Sequence, residues 1–451
     1  MSRPYVLSPR CKMHLKQLWN NAEFHRYFAN TSWLLAEKGL RMAVGLFVGV
    51  WVARYLGPAR LGLLSYAQSF VGLFAAISTL GLDGIVVREL VKDGSSRDRL
   101  LGTAFWLKLA GAIVLLIVLT GATRLVANDS YTNLLIFIIA SATVFQCFNV
   151  IDLFFQAHVL SKYAVFANFI ALFFTSIVKI ILILLEKPLT YFAAVTLFDS
   201  LVLACGYLYM YWFTGVDFRQ WKFDKALAYR LLQESWPLIF SSAVLMVQAR
   251  IDQVMLKQIS GNVETGYYSV ALRIVETFGV IPIVLKTSLS PLIFEAKKTS
   301  SALYRKRLVN FYKINFQIFL IIAIPLFLFA EKIVVLLYSP EYQSAGILLA
   351  LMAFRLFFTN MGVARGVYII TESLFRFSLF TMTIGTIVNI TLNYYWIETY
   401  GGKGAIFATI ISFAVTTFAL DALYPRTRGN VCLMFKGIRN FYHLNWINAD
   451  T

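Results

Sequence analysis

Two charged residues, Arg250 and Asp252, stand in the middle of an apolar stretch that reads LMVQARIDQVMLKQI from Leu245 to Ile259. A charged side chain at the centre of a membrane helix costs about 2.5–3.5 kcal/mol on insertion scales. Two residues turn a helix by about 200°, so Arg250 and Asp252 lie on different faces and cannot simply neutralise each other. We therefore expect each of them to have partners on another helix.

Ionisable residues in the other apolar stretches complete the candidate site. The basic set is Arg250, Arg273, Arg355, Arg41 and Lys38, and the acidic set is Asp199, Asp252 and Glu276. The planar guanidinium fork of arginine donates two hydrogen bonds to phosphate at once, so the basic set favours an anionic ligand over an organic cation. The carboxylates are candidates for carrying a proton or a cation. The alternative is a structural ion-pair network, as between Glu37 and Arg41 four residues apart.

Composition identifies the class of protein. Of 451 residues, 59% are hydrophobic and 14% are charged, whereas a soluble protein carries about 25% charged residues. This predicts a polytopic membrane protein. Its four cysteines and four histidines have no metal-ligand spacing, and the sequence contains no G-x-x-x-x-G-K-[ST] phosphate loop. We therefore expect no metal site, cofactor or ATP motor.

Apolar segments of about 20 residues predict the membrane spans and their orientation. With the N-terminus inside, the cytoplasmic segments hold 26 lysines and arginines and the opposite side holds seven. This asymmetry explains the net charge of +18 without a nucleic-acid ligand and places both termini in the cytoplasm. The predicted spans are 31–54, 62–83, 100–123, 132–156, 163–185, 189–213, 236–258, 265–289, 314–337, 343–364, 375–397 and 402–424.

An internal repeat divides the chain. GPARLGLLSYA (57–67) and GNVETGYYSVA (261–271) share the pattern G-x4-G, two bulky residues, serine, one residue and alanine, at an offset of 204 residues. Such a duplication of six spans gives two halves of the same orientation, as in many secondary transporters. The predicted organisation is a cytoplasmic tail (1–29), a first six-helix bundle (30–213), an amphipathic cytoplasmic linker (214–235), a second six-helix bundle (236–424) and a basic cytoplasmic tail (425–451).

Four segments resemble the Wzx-type O-antigen flippases, which belong to the polysaccharide transporter family of the multidrug/oligosaccharidyl-lipid/polysaccharide (MOP) exporter superfamily. The resemblance extends through about residue 424, and the first segment is its most specific part. The segments are AEKGLRMAVGLFVGVWVARYLGPARLGLLSYAQSF (36–70), LGLDGIVVREL (80–90), LLQESWPLIFSS (231–242) and ARIDQVMLKQISGNVETGYYSVALRIVE (249–276).

The resemblance implies an all-α, MATE-like fold of twelve transmembrane helices in two six-helix bundles around a central cavity. It implies a flippase, not an enzyme, in the bacterial inner membrane. The substrate would be an undecaprenyl-diphosphate-linked oligosaccharide, moved to the periplasmic leaflet by alternating access with H⁺ or Na⁺ as a coupling ion. A polysaccharide polymerase and a chain-length regulator would be partners. Arg250, Arg273 and Arg355 would then contact the diphosphate or an acidic sugar, with Arg41 and Lys38 facing them from the first bundle.

Three rival functions remain at this point. A drug exporter of the same superfamily would favour an acidic cavity, against the basic excess counted above. A polysaccharide polymerase would need a sizeable periplasmic loop with catalytic residues, but the predicted outward loops are about ten residues or fewer. A purely structural membrane protein would leave the arginines in the spans unexplained.

Overall fold

The protein is an all-helical, polytopic membrane protein. The computed structural model describes residues 22–126 and 128–442, with the backbone alone for 22–31, 34 and 35. Every regular element in this part of the chain is a helix, and ten helical segments are long and apolar enough to cross a membrane. The predicted fold class is therefore confirmed. Most of the predicted tail 1–29 and the end of the tail 425–451 lie outside the described residues.

In the described part of the chain, sixteen α-helices follow one another with short connections. Four 3₁₀ turns and one π-helical turn, Val415–Ala419, lie between them. The helices are α1 Ala22–Leu73, α2 Ala75–Thr79, α3 Asp83–Lys92, α4 Arg97–Leu125, α5 Ser130–Phe145, α6 Val150–Ala157, α7 Ser161–Leu184, α8 Leu189–Phe213, α9 Lys225–Phe278, α10 Val280–Thr299, α11 Ser301–Tyr338, α12 Ala345–Thr371, α13 Phe375–Tyr400, α14 Gly402–Ala414, α15 Leu420–Leu423 and α16 Pro425–Arg439.

Two glycines interrupt the two longest helices. Gly57 in the 52-residue α1 has φ 71° and ψ 171°, and Gly261 in the 54-residue α9 has φ 88° and ψ −176°. A positive φ with extended ψ is accessible almost only to glycine, which explains the residue type at both kinks. Gly57 lies between the predicted spans 31–54 and 62–83, and Gly261 lies between 236–258 and 265–289. If the two apolar segments that contain these glycines are divided there, the ten segments become twelve, the number predicted from the sequence.

The two repeat motifs pack against each other through their second glycines. A Cβ atom on Gly62 would overlap the backbone carbonyl oxygen of Asn262. A Cβ atom on Gly266 would overlap the carbonyl oxygen of Pro58 in the same way. The two contacts are equivalent, because Gly266 lies 204 residues after Gly62 and Asn262 lies 204 residues after Pro58. The repeat inferred from the sequence is thus also a repeat of backbone geometry and of packing.

The chain divides into two compact units. The first comprises residues up to Gly49, Ala76–Asn128 and Phe137–Ile239, and the second comprises Val50–Ala75, Asp129–Ile136 and everything from Phe240 onward. Both repeat motifs therefore belong to the second unit. The apolar core of the first unit is built around α3, α4, α6 and α8. That of the second unit is built around α10, α11, α12 and α16.

The segments between the predicted spans also contain helix. Within 214–235, α9 begins at Lys225 and continues into the seventh predicted span without a break. Within 290–313, α10 ends at Thr299 and α11 begins at Ser301. The basic tail after 424 starts with α16, whose Met434 is buried in the core of the second unit. The helices thus extend beyond the apolar segments that predict them.

Candidate functional site

A buried carboxylate with neutral partners is the main polar feature of the second unit. Asp252 is 5% exposed. Its carboxylate oxygens accept hydrogen bonds from the Tyr268 hydroxyl at 2.7 Å, the Asn393 amide nitrogen at 2.7 Å and the Thr409 hydroxyl at 2.6 Å. These partners come from α13, α14 and the far side of the Gly261 kink. The prediction that Asp252 has partners on other helices is confirmed.

Amide side chains extend this cluster along α13. The Asn393 amide also donates to Asn389 Oδ1 at 3.2 Å, and the Asn389 amide donates to Thr409 Oγ1 at 3.4 Å. The side-chain oxygen of Asn393 is buried and accepts no hydrogen bond from the described residues. One carboxylate among hydroxyl and amide oxygens matches the ligands that hard cations prefer, and a protonated carboxyl would also fit. The arrangement can therefore hold a proton or a small cation.

Arg250 lies on the other side of α9 from Asp252. Its side chain is half-buried and crosses α1 at Gly72, where a Cβ atom would lie 3.4 Å from Arg250 Cγ. Gln253, three residues after Arg250, accepts a hydrogen bond from Ser69 of α1 and donates one to Ser269 at 2.9 Å. Small residues on α1 thus make room for the polar side of α9. This contact positions Arg250 without pairing it with Asp252.

Arg355 on α12 is the second half-buried arginine of the candidate set. Its guanidinium carbon lies 5.6 Å from the centre of the Phe413 ring. Its Nε atom is buried and has no hydrogen-bond partner among the described residues. Arg355 also lies within electrostatic range of Tyr268, a ligand of Asp252. Arg355 and Asp252 therefore both interact with Tyr268.

The remaining predicted residues of the second unit are more open. Arg273 and Glu276 share one side of α9 after the kink, and both are exposed. Arg273 interacts electrostatically with Tyr338 at the end of α11. A charged residue within a span faces a bundle interior or an aqueous cavity in most membrane proteins. In the structure both side chains lie outside the apolar core of the second unit.

The first unit holds three of the predicted residues. Arg41 donates a hydrogen bond to the buried Glu37 at 2.7 Å, as the spacing of four residues predicted. Lys38 is exposed next to this pair. Asp199 on α8 accepts a hydrogen bond from Thr175 on α7 at 2.7 Å. Arg41 is thus engaged in an ion pair, while Lys38 is exposed on the same helix.

Two ion pairs were missed from the sequence. Arg365, predicted to lie in a loop, is buried within α12 and forms a two-pronged pair with Asp421 at 2.9 and 2.7 Å. Its guanidinium also donates to Thr381 at 3.1 Å. In the first unit, Lys108 pairs with Asp83 at 2.5 Å. The predicted span 343–364 ends directly before Arg365. Burial of Arg365 depends on Asp421, which lies 56 residues later in the chain and leaves no signal near Arg365 in the sequence.

Four charged residues join α3 to the start of α9 in the first unit. Arg88 pairs with Glu234 at 2.5 Å, and Arg230 pairs with Glu89 at 2.7 Å. The hydrogen bond to Glu234 raises the pKa of the Arg88 guanidinium above its ordinary value. Exposed pairs of this kind contribute little stability individually, but they fix the position of Lys225–Ile239 on its own unit.

Comparison with known proteins identifies the family. Residues 27–297 match a family model described as polysaccharide biosynthesis protein. The chain belongs to this family. Among curated proteins no significant sequence relative is found.

Solved structures share the fold. An inward-facing multidrug resistance MATE family transporter of the MOP superfamily matches with a TM-score of 0.68 and 16% identity, covering 88% of this chain and 95% of that chain. The lipid II flippase MurJ in an inward closed conformation matches with a TM-score of 0.67 and 14% identity, covering 94% and 93%. A MOP superfamily transporter from Pyrococcus furiosus, described as having a binding pocket of reverse polarity, matches at 0.63 and 16%, covering 93% and 98%. The family member described here thus has the fold of MOP-superfamily transporters and flippases.

Proposed function

We propose that the protein is a flippase that moves an undecaprenyl-diphosphate-linked oligosaccharide, such as an O-antigen repeat unit, from the cytoplasmic to the periplasmic leaflet of the bacterial inner membrane. The observation that carries this proposal is the family match over residues 27–297. The fold alone is shared by a drug transporter and a lipid II flippase. Membership of a polysaccharide biosynthesis family favours the lipid-linked sugar.

The chemistry of the second unit supports an anionic headgroup. Arg250 and Arg355 are half-buried in helices that cross the membrane, and Arg273 is exposed on the same side of the kinked α9 as Glu276. Guanidinium groups bind phosphate oxygens in pairs, and desolvation strengthens that attraction. In this proposal Arg250, Arg273 and Arg355 contact the diphosphate or an acidic sugar. Lys38 and Arg41 are the headgroup contacts that this proposal assigns to the first unit.

The buried carboxylate supports ion coupling. Asp252 has three neutral hydrogen-bond donors, and the Asn393 side-chain oxygen next to it is unpartnered among the described residues. Binding of H⁺ or Na⁺ neutralises this carboxylate, and its electrostatic attraction for Arg355 then weakens. In this proposal Asp252 is the residue that couples transport to the ion gradient. Asp199 and Glu276 are the other carboxylates that can bind the coupling ion. The substrate itself undergoes no chemical step, and polymerisation falls to a separate polysaccharide polymerase with its chain-length regulator.

The test is the location of lipid-diphosphate-linked repeat units in a strain that lacks this gene. We expect units trapped on the cytoplasmic side, released by the wild-type protein but not by Arg250→Ala at equal expression. Arg124→Ala, which changes an exposed arginine at the end of α4, is the matched control and should restore transport.

Two other outcomes would each overturn the proposal. Units that reach the periplasmic leaflet but stay unpolymerised would identify a polymerase. Normal surface polysaccharide together with a loss of resistance to cationic drugs would identify a drug exporter of the same fold.

A further inference from the structure

The helix that follows the last span changes direction as the chain leaves the membrane. The final apolar segment ends at Leu423. Tyr424 has an extended backbone, with φ −85° and ψ 123°, and Pro425 then begins α16. Proline favours the first position of a helix because its missing N–H is not needed there. The 15-residue α16 is therefore a separate helix that starts directly after the last apolar segment.

Contacts with α11 show how α16 is oriented. Asn430 accepts a hydrogen bond from the Tyr312 hydroxyl at 2.8 Å, a Cβ atom on Gly437 would lie 2.8 Å from Tyr312 Cβ, and the carbonyl of Phe441 accepts from Gln317 at 2.7 Å. These contacts turn the side of α16 that carries Asn430 and Gly437 toward the first part of α11. The opposite side of α16 is left outside this packing.

The two faces of α16 have different characters. The residues turned to the protein are Thr427, Asn430, Val431, Met434 and Gly437, and all are buried. The exposed residues recur at offsets of four, seven, eight and eleven, which places them on one face. They are Arg428, Cys432, Phe435, Lys436 and Arg439. This face combines three cations with an aromatic ring that is 57% exposed.

We propose that the exposed face of α16 binds the anionic phospholipid surface of the cytoplasmic leaflet. Pro425–Tyr442 contains four basic residues and no acidic one. Helices that lie in the membrane interface combine basic side chains, which attract anionic headgroups, with aromatic side chains that enter the acyl boundary. An acidic protein partner would satisfy the cations, whereas a lipid surface also accommodates the ring of Phe435, which packs on Phe418 with the ring centres 5.8 Å apart and stays 57% exposed. The geometry and the chemistry of the face thus favour a lipid surface.

The test uses the full chain in lipid nanodiscs, which expose both sides of the membrane. A fluorophore on the native Cys432, in a variant with Cys11→Ser and Cys205→Ser, reports whether the face is in water or in lipid. The probes are nanodiscs of phosphatidylcholine alone and of phosphatidylcholine mixed with phosphatidylglycerol. In the anionic nanodiscs we expect quenching by headgroup-level lipid spin labels and protection from aqueous iodide. The double variant Lys436→Gln/Arg439→Gln should lower the ratio of protected to unprotected Cys432 by about fivefold for each neutralised residue.

A matched control separates this effect from a general loss of charge. Lys92→Gln/Lys222→Gln removes two exposed cations of the other unit and should leave the Cys432 signal unchanged. Equal iodide access in neutral and anionic nanodiscs would overturn the proposal. So would protection that appears only after a second protein is added, because the face would then dock a protein. The readout does not depend on transport, so it stands apart from the proposed flippase activity.

Discussion

Gly62 and Gly266 occupy equivalent positions of the internal repeat, and each lies against the backbone carbonyl at the second position of the other motif. No side chain separates the two backbones at this point. Close approach of this kind requires glycine, as in the small-residue contacts of other membrane helices.

The first prediction concerns this contact. Gly62→Ala or Gly266→Ala places a methyl group on the facing carbonyl, and overpacking of this type costs about 1–3 kcal/mol. The thermal unfolding midpoint of the detergent-solubilised protein should fall for both variants. Gly121→Ala is the control, because a Cβ atom on Gly121 meets nothing within 4 Å, and alanine is the better helix former. Equal midpoints for Gly62→Ala and Gly121→Ala would contradict the contact.

The second prediction concerns the buried pair of Arg365 and Asp421, which are 6% and 0% exposed. Removal of one partner leaves an uncompensated buried charge, which costs about 3–5 kcal/mol. Arg365→Met should therefore lower the yield of folded protein and its unfolding midpoint sharply. The double variant Arg365→Met/Asp421→Leu should recover most of the loss, because neither charge remains. A double variant as unstable as the single one would show that the pair is needed for more than mutual neutralisation.

The third prediction tests ion coupling at Asp252. Asp252→Asn keeps the size of the side chain and removes its charge, so the dependence of transport on the ion gradient should be lost. Transport measured in vesicles, with a pH or Na⁺ gradient imposed, distinguishes the two ions. Asp217→Asn, at an exposed turn before α9, is the control and should keep wild-type coupling. Unchanged gradient dependence in Asp252→Asn would move the coupling role to Asp199 or Glu276.

The fourth prediction concerns pH and the start of α5. Asp129 accepts hydrogen bonds from the Thr132 hydroxyl at 2.5 Å and the Thr132 amide at 3.1 Å, and these lower the pKa of the carboxyl. A lowered folded-state pKa means that the stabilisation is complete at neutral pH and is lost as the pH falls below about 4. Asp129→Ala should cost about 1 kcal/mol at pH 7, as for other helix caps. The unfolding midpoints of variant and wild type should converge in acid, and a constant difference would contradict this assignment.

The sequence predicted the helical spans because their signal is local. A run of about 20 apolar residues forms a spanning helix wherever it occurs in the chain. The kinks at Gly57 and Gly261 lie at equivalent positions of the repeat and between predicted spans. The pairing of Arg41 with Glu37 followed from one turn of helix. These features depend on neighbours along the chain.

The rest of the site depends on residues far apart in the chain. Asn393 and Thr409 reach Asp252 across 141 and 157 residues. Arg365 is buried because Asp421, 56 residues later, accepts its guanidinium. The assignment of Val50–Ala75 to the second unit likewise follows from packing at Gly62 and not from hydropathy. Packing partners of this kind leave no periodic pattern in a single sequence.

The reciprocal contact of the two motifs also has the form of a contact between two subunits. Each motif offers its second glycine to the carbonyl at the second position of the other motif. Two identical chains related by a two-fold axis make paired contacts of this kind. Gly62 with Asn262 and Gly266 with Pro58 have this form. Within one chain, the two motifs therefore fit each other as two copies of one subunit would. The two carbonyls belong to equivalent positions, and the residue type at those positions, Pro58 and Asn262, differs between the copies.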